Sequence, residues 1–424
     1  MEALLQKATR QHTKTHNSRL VLRTIYDYGT ISRADVARLT HLTRATISEV
    51  VADLIRQGLV EEVGHGPVSV GRTPTLLSVV ADSRQLIGID IANGKLHAAI
   101  VNLRGQIHHR ISLPLQDHNG EAVVTLLYEA IDTLSRHATS PLLGIGIGAP
   151  GLIDTAGGGV RRAVNLGWEN VPLRDLMQHR YDLPVYIAND SHLAALAEYT
   201  FGGGQAAEHM IVLLVGRGIG AGIVLSGQLF PGDAGGAGEI GHVVVVEGGE
   251  PCRCGNVGCL ETVASSRAII RQAQQIAQTD ARSTLHRFAA TPEAITLDVV
   301  HQAVHASDPA ICEVIREVGR YLGGAVAQLV CSLNIRRIVI AGRVAAFGAL
   351  LLDAIQQEVN ARALSLLVRD TEIELARVGP DAVMLGASAL LLTSELGLIR
   401  LGSAAQTAVL TPPLAAREAA VSAV

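Results

Sequence analysis

Three of the five cysteines in this 424-residue chain fall between positions 252 and 259, and that cluster restricts the fold more than any other feature. The run is Cys252-Arg253-Cys254-Gly255-Asn256-Val257-Gly258-Cys259, with His242 ten positions upstream. Three thiolates and one imidazole close a tetrahedral zinc shell and leave no position for water, which is the donor set of a structural site. Gly255 and Gly258 let the backbone curl so that Cys254 and Cys259 aim at one point. The predicted ligands are therefore His242, Cys252, Cys254 and Cys259, with structural Zn2+ as the cofactor. Reduced, buried thiols are the plainer reading, and the Cys-x-Cys-Gly-x-x-Gly-Cys spacing in so cysteine-poor a chain argues against it. A loop pinned in this way stands beside Glu239 and Glu261, two carboxylates with no structural reason to flank it. The remaining cysteines, Cys312 and Cys331, read as buried thiols of a reducing compartment.

The length allows two to three domains, each with its own core. The net charge of -4 points globally to neither nucleic acid nor membrane. Charge is uneven, however: residues 1–81 hold ten Lys or Arg against seven Asp or Glu, a net of +3 that leaves -7 for the remainder. A mildly basic head on an acidic body permits contact with DNA without requiring it. The polar, charged N-terminus predicts no secretory leader, and no apolar run reaches spanning length, so the expectation is a soluble, cytoplasmic protein without a membrane partner.

Helical spacing organises the first 58 residues. Val21, Leu22, Ile25 and Tyr28 recur on one face over 17–29, and Gly29 ends the run. A second helix starts at Ser32, with Asp35 three residues on in a near capping box, and buries Val36 and Leu39. The third starts at Thr43, lines up Ile47, Val50, Val51, Leu54 and Ile55, and stops at Gly58. Its other face presents Arg44, Thr46 and Ser48, where a recognition helix meets bases and phosphates. Two strand-like runs, 59–63 and 75–80, then bracket a Gly-rich tip bearing Arg72, which suits minor-groove entry. Three helices and a hairpin predict a winged helix-turn-helix over 1–81, with Thr43, Arg44, Thr46, Ser48 and Arg72 as the DNA-binding residues. A small helical subdomain that binds nothing, or binds protein, is the alternative reading.

Beyond residue 85 the pattern alternates between β-branched strands at 86–89, 96–101, 106–113 and 143–147 and a helix over 121–137, which predicts a layered α/β domain. Later strands are expected at 210–216, 221–226 and 335–341. A helix is expected over 381–396, and a small, Ala-rich, loosely ordered tail over 401–424.

Glu239-x-Gly241-His242 followed by Cys252-x-Cys254-Gly255-x-x-Gly258-Cys259-x-Glu261 resembles the signature of the ROK family, which contains sugar kinases and sugar-responsive transcriptional repressors. The resemblance extends from about residue 85 to about 396. The head, with Gly71-Arg72-Thr73-Pro74, resembles the repressor branch. The fold it implies is α/β: a winged helix-turn-helix followed by a two-lobed actin-like (ribonuclease H-like) sugar-binding domain with a zinc loop. That domain would span 82–400, with lobes at about 82–200 and 201–380 and the 381–396 helix packing back. The resemblance also implies that His242 both ligates zinc and touches the sugar, while Glu239 and Glu261 hydrogen-bond its hydroxyls. Asn189-Asp190, after a strand at 185–188, matches the family's sugar-binding pair, with Asp190 the counterpart of the kinase general base. Taken alone, Asn189-Asp190 would read as a helix N-cap.

The nucleotide side departs from the kinase pattern. Where family kinases carry Asp-x-Gly-Gly-Thr-Lys, this chain reads Asp90-Ile91-Ala92-Asn93-Gly94-Lys95, which puts Cβ atoms where backbone should meet phosphate. Where they carry Gly-Thr-Gly-x-Gly, it reads Gly216-Arg217-Gly218-Ile219-Gly220, with a guanidinium in place of a small hydroxyl. The segment that the resemblance implies would face adenosine reads Ala341-Gly342-Arg343-Val344. The prediction is a non-enzymatic, sugar-responsive regulator that represses carbohydrate-utilisation genes and is released by sugar. No catalytic residue is assigned. Its partners would be double-stranded operator DNA, a sugar effector and a second copy of the chain, with pairing into tetramers left open. The alternatives are a sugar kinase with an appended DNA-binding domain and a zinc-stabilised scaffold that binds neither ligand.

Overall fold

The computed structural model describes residues 10–66, 73–92, 94–115, 119–155, 157–204, 207–233 and 235–399. Arg72, Asn93 and the tail expected at 401–424 lie outside the described residues. The head begins with the helix Arg10–Tyr28, a turn or two earlier than its apolar face suggests. Ser32 caps Arg33–Thr40 by accepting from the Asp35 amide at 3.2 Å and donating its hydroxyl to the Asp35 carboxylate at 2.7 Å. Thr43 likewise caps Arg44–Arg56 through the Thr46 amide. Both ends are set by local hydrogen bonds to otherwise orphaned amides. Ile47, Val50, Val51 and Leu54 are buried, whereas Ile55 is exposed. Thr30–Ser32 pairs antiparallel with Thr75–Val79, which pairs in turn with Val60–His65, forming the three-stranded sheet of a winged helix.

The body repeats one plan twice. In the first lobe Gln85–Ala92, Lys95–Asn102 and Ile107–Pro114 form an antiparallel meander. Leu142–Ala149 then pairs parallel with the free side of Gln85–Ala92, and Val185–Asn189 adds parallel beyond it. The second lobe runs Met210–Val215, Ile219–Leu225 and Gln228–Leu229 antiparallel, then Arg337–Ala341 and Glu372–Leu375 parallel. Two sheets of five strands in the same order make the twin ribonuclease H-like lobes of an actin-like fold.

The helix Ala382–Leu391 lies on the first lobe's sheet so closely that glycine is required beneath it. A Cβ on Gly88 would stand 2.4 Å from the Met384 carbonyl oxygen, and one on Gly146 2.5 Å from that of Ala387. This helix is shorter than the 381–396 expected: α-geometry ends at Leu391, and Leu392–Leu396 forms a π-turn. Ala382–Leu391 is apolar almost all round, and Leu392 and Leu396 keep a four-residue spacing in the turn, so periodicity carried no mark of the change.

The two isolated cysteines also depart from expectation. Cys331 is exposed and Cys312 half-buried. Both lie on the 25-residue helix Pro309–Leu333, whose core seam includes Ile311 and Val330. Each cysteine follows a seam residue and is therefore rotated roughly 100° away from the core.

Head and body share a core. One apolar cluster runs from Val21, Ile25 and Leu77 through Leu103 to Leu392 and Ile399. Arg19 of the first helix donates to the carbonyl oxygens of Ser394 (3.1 Å) and Glu395 (3.4 Å) in the π-turn. Arg104 stacks its guanidinium 4.1 Å above the Tyr26 ring and donates to the Tyr26 carbonyl oxygen at 2.7 Å. Among the described residues, no helix is long and apolar enough to cross a membrane.

Candidate functional site

A cleft of about 1320 Å3 opens between the lobes. The strand Val185–Asn189 and the helix Asp190–Phe201 deliver Asn189 and Asp190 to its floor from one side, and the 3-10 turn Ile240–His242 and helix Leu260–Ala264 bring His242 and Glu261 from the other. Glu239 immediately precedes that turn. The five residues singled out for the floor are thus brought together, although 72 positions separate Asn189 from Glu261.

Asn189 does cap its helix, as its local sequence suggests. Its Oδ1 accepts from the Ser191 amide at 2.9 Å and from the Ser191 hydroxyl at 2.5 Å, while Nδ2 donates to the Gly151 carbonyl oxygen at 3.0 Å. The amide therefore fixes the floor against the Gly148–Gly151 turn and keeps one N–H to spare. Asp190 accepts from the Ser191 amide at 2.8 Å. Burial raises its pKa to about 7; the Ser191 amide opposes this, and Glu239 and Glu261 reinforce it. Glu239 is also raised, by burial and by Glu261, with His242 opposing. Glu261 Oε2 accepts from the Ile219 amide at 3.2 Å, which ties the carboxylate to the loop Gly216–Gly220.

Sequence reasoning missed Asp90 as part of this floor. Its side chain is buried, Oδ1 has no hydrogen-bond partner, and burial followed by the nearby Asp190 raises its pKa to about 8. The motif comparison treated Asp90 as one letter of a phosphate loop, and nothing local signals that the fold sets it against a second carboxylate. His192, also unpredicted, is a buried core histidine that reaches the Ala237 carbonyl oxygen at 2.8 Å and is held below its ordinary pKa by burial. Trp168 belongs to the core and donates to the Gly120 carbonyl oxygen at 2.8 Å.

His242 faces two ways. Its Nε2 lies 3.8 Å from a Glu239 carboxylate oxygen, and its Nδ1 lies 3.6 Å from Cys252 Sγ. The donor atoms of His242, Cys252, Cys254 and Cys259 all lie within 4.8 Å of one another, a cluster able to hold a metal ion. Cys254 Sγ and Cys259 Sγ are 3.7 Å apart. A tetrahedral shell with metal–sulfur bonds of about 2.3 Å has sulfur–sulfur edges of about 3.8 Å, and about 3.6 Å between sulfur and nitrogen, so the observed edges fit.

Across the cleft, Arg217 Nη1 lies 3.2 Å from where a Cβ on Gly94 would stand, so the side chain reaches from the Gly216–Gly220 loop to the turn at Gly94. Arg343 pairs with Asp298 at 2.7 Å on the cleft wall. In the head, Thr43 and Thr46 share a 2.9 Å hydroxyl contact and Ser48 donates to the Arg44 carbonyl oxygen, while Arg44 itself is exposed.

A model of the ROK family matches residues 86–394, and a model of the MarR family matches residues 15–67. The chain is 34% identical over 388 residues to a protein named xylose repressor from Caldicellulosiruptor bescii, covering 90% of this chain and 97% of that one. It is 38% identical over 317 residues to a protein named glucokinase from Halalkalibacterium halodurans, covering 74% of this chain and 96% of the relative. In structure it superposes on a ROK family transcriptional regulator, described as a homolog of the E. coli MLC protein, with a TM-score of 0.79 and 30% identity over 92% of this chain and 98% of the other. The similarity to the glucokinase spans about three quarters of the chain, whereas the similarity to the two regulators spans nine tenths of it.

Proposed function

The chain belongs to the ROK family, and from that premise we propose that it is a sugar-responsive transcriptional repressor whose operator affinity falls when sugar occupies the interlobe cleft. The observation that carries this reading is one molecule holding both a winged head fused to the body's core and a cleft with a carboxylate floor. In the proposed division, residues 1–81 read DNA and residues 82–400 bind sugar.

Asn189, Asp190, Glu239, His242 and Glu261 would hold the sugar. A sugar hydroxyl both donates and accepts, so it needs both kinds of partner. Glu261 and Glu239 accept, the spare Nδ2 hydrogen of Asn189 donates, and Asp190, with a pKa of about 7, can do either near neutrality. His242 presents Nε2 to this set while Nδ1 points at the cysteines. The metal assigned to His242, Cys252, Cys254 and Cys259 is zinc, because its thiolate-rich tetrahedral preference matches the donor set and leaves no open position for chemistry. When bound it would supply rigidity, pinning the Cys252–Cys259 loop beside Glu239 and Glu261.

Arg217 supports the reading that phosphoryl transfer has been lost. Its guanidinium lies over Gly94, where a triphosphate would pass between the two turns. DNA contact is assigned to Thr43, Arg44, Thr46 and Ser48 on the third helix, with Arg72 on the wing, in a homodimer that places two such helices in successive major grooves.

Gel-shift titration of the full chain on its operator, with and without glucose, N-acetylglucosamine and xylose, tests the proposal. At least one sugar is expected to lower operator affinity about tenfold or more. Unchanged affinity with every sugar would reject the response. Steady ADP release on adding ATP and a hexose would replace the repressor reading with that of a DNA-binding kinase.

A further inference from the structure

The helix Arg44–Arg56 carries one charge that the fold itself does not use. Ile47, Val50, Val51 and Leu54 face the core. A turn of roughly 100° per residue then sets Ala45, Glu49, Ala52 and Arg56 along the line that points directly away from it, and all four are exposed. Arg56 is tied to Asp53, which Lys14 of the first helix also holds at 3.1 Å. The nearby hydroxyls have local bonds as well: Thr43 and Thr46 with one another, and Ser48 to the Arg44 carbonyl oxygen at 2.9 Å. Glu49 stands apart, with no hydrogen bond or ion pair among the described residues.

Nor does Glu49 support its own helix. The positions three and four residues away hold Ala45, Thr46, Ala52 and Asp53, so no cation stands at pairing distance and Asp53 repels it. It lies in the second turn, beyond the range in which the helix dipole favours an acid. On a surface that approaches phosphate, an unneutralised carboxylate also weakens binding to any duplex. What a carboxylate can do there is accept and never donate. In the major groove that matches the N4 amino group of cytosine; the N6 amino group of adenine stands beside the N7 acceptor, which repels a carboxylate and suits an amide instead. Ala45 and Ala52, one turn to either side, leave the helix backbone free to approach the groove and make Glu49 the long uncommitted side chain at the centre of that line.

We propose that Glu49 is a specificity-determining residue of the head, accepting from the N4 amino group of one cytosine in each operator half-site. The inference rests on the DNA-binding reading above. Selection of bound duplexes from a randomised pool by the full chain tests it, with the parent, Glu49→Gln and Glu49→Ala run in parallel and affinities for selected and random duplexes measured for each. The parent is expected to fix cytosine at one position per half-site, with at least about a fivefold loss for any other base there. Glu49→Gln is expected to move that preference to adenine and Glu49→Ala to erase it, while the other positions keep theirs. Removing the charge should also tighten binding to random duplex, about twofold or more, which the loss of a merely structural side chain would not do. The melting temperature of this exposed variant should stay within about 2 °C of the parent. An unchanged preference at every position in Glu49→Ala, or a loss of specific and random binding together, overturns the inference and leaves the DNA-binding reading standing. A parent that selects adenine at the position the variants alter overturns the cytosine assignment. A parent that enriches no sequence overturns the inference, and one that binds no duplex at all overturns the DNA-binding reading with it.

Discussion

Asp90 and Asp190 are two acids that the fold sets beside one another, Asp90 buried and Asp190 half-buried at the cleft, and their effect on stability has a definite sign. Both folded pKa values, about 8 and about 7, lie above the usual carboxylate range of an unfolded chain near 4. Between those limits the folded protein retains protons that the unfolded chain has released, so stability falls as pH rises from about 4 and levels off above about 8. Asp90→Asn removes one of the two titrations. Thermal unfolding from pH 5 to 8.5 should show a shallower decline in the variant than in the parent, by a few degrees over the range; parallel curves would mean that Asp90 carries its charge at little cost. The metal loop gives a second prediction. Cys254→Ser replaces a thiolate with a hydroxyl that binds zinc poorly, so the purified variant should contain well under one zinc per chain and lose its response to sugar. A variant that retained full response would show that the loop holds its shape without metal. At this scale the sequence was legible where spacing alone defined the group, as for His242 and the three loop cysteines. It was opaque where burial decided, as for Asp90, whose neighbour Asp190 lies 100 positions away. Cys312 and Cys331 are instructive in the same way: composition suggested burial, and helix phase turned both away from the seam.

Single elements connect the floor to the head. The strand Val185–Asn189 ends at the sugar-side pair, and one residue into it Tyr186 donates its hydroxyl to the Glu395 carboxylate at 2.7 Å. Burial and that hydrogen bond both raise the Tyr186 pKa, which keeps the phenol protonated and donating. Glu395 lies in the π-turn whose carbonyl oxygens hold Arg19 of the head's first helix. Movement of Asn189 and Asp190 thus has a short bonded route to the DNA-reading unit, through the π-turn Leu392–Leu396. Tyr186→Phe deletes the hydroxyl and leaves the ring. It should cost roughly 1.5 to 3 kcal/mol of stability, leave sugar affinity near its parent value, and reduce the sugar-induced loss of operator binding. An undiminished loss would place the coupling elsewhere, for instance in the apolar cluster shared by head and body. The head's helices were readable because Ser32 and Thr43 cap them locally, whereas Thr30–Ser32 is too short for alternation to register. The π-turn left no trace because Leu392 and Leu396, four residues apart, continue a helical spacing beyond the almost wholly apolar Ala382–Leu391.

At the scale of the whole molecule, the shared core matters more than either site. A head packed into the body cannot swing freely on a tether, so in a symmetric dimer the distance between the two reading helices is fixed by the angle between the bodies. Two half-sites must then lie about one helical turn apart, and on the same face of the duplex, to be read together. Inserting five base pairs between them rotates one half-site by about half a turn, and operator affinity should fall toward the nonspecific level, a loss on the order of a hundredfold or more. Sugar should act on the same quantity by re-angling the bodies: it lowers specific affinity and leaves the salt-dependent binding of random duplex nearly unchanged, because the basic surface of each head is untouched. A protein indifferent to the insertion would be reading each half-site independently, and closure of the cleft would then have no lever on DNA. One that lost random-duplex binding together with operator binding would be responding through the heads themselves rather than through their spacing.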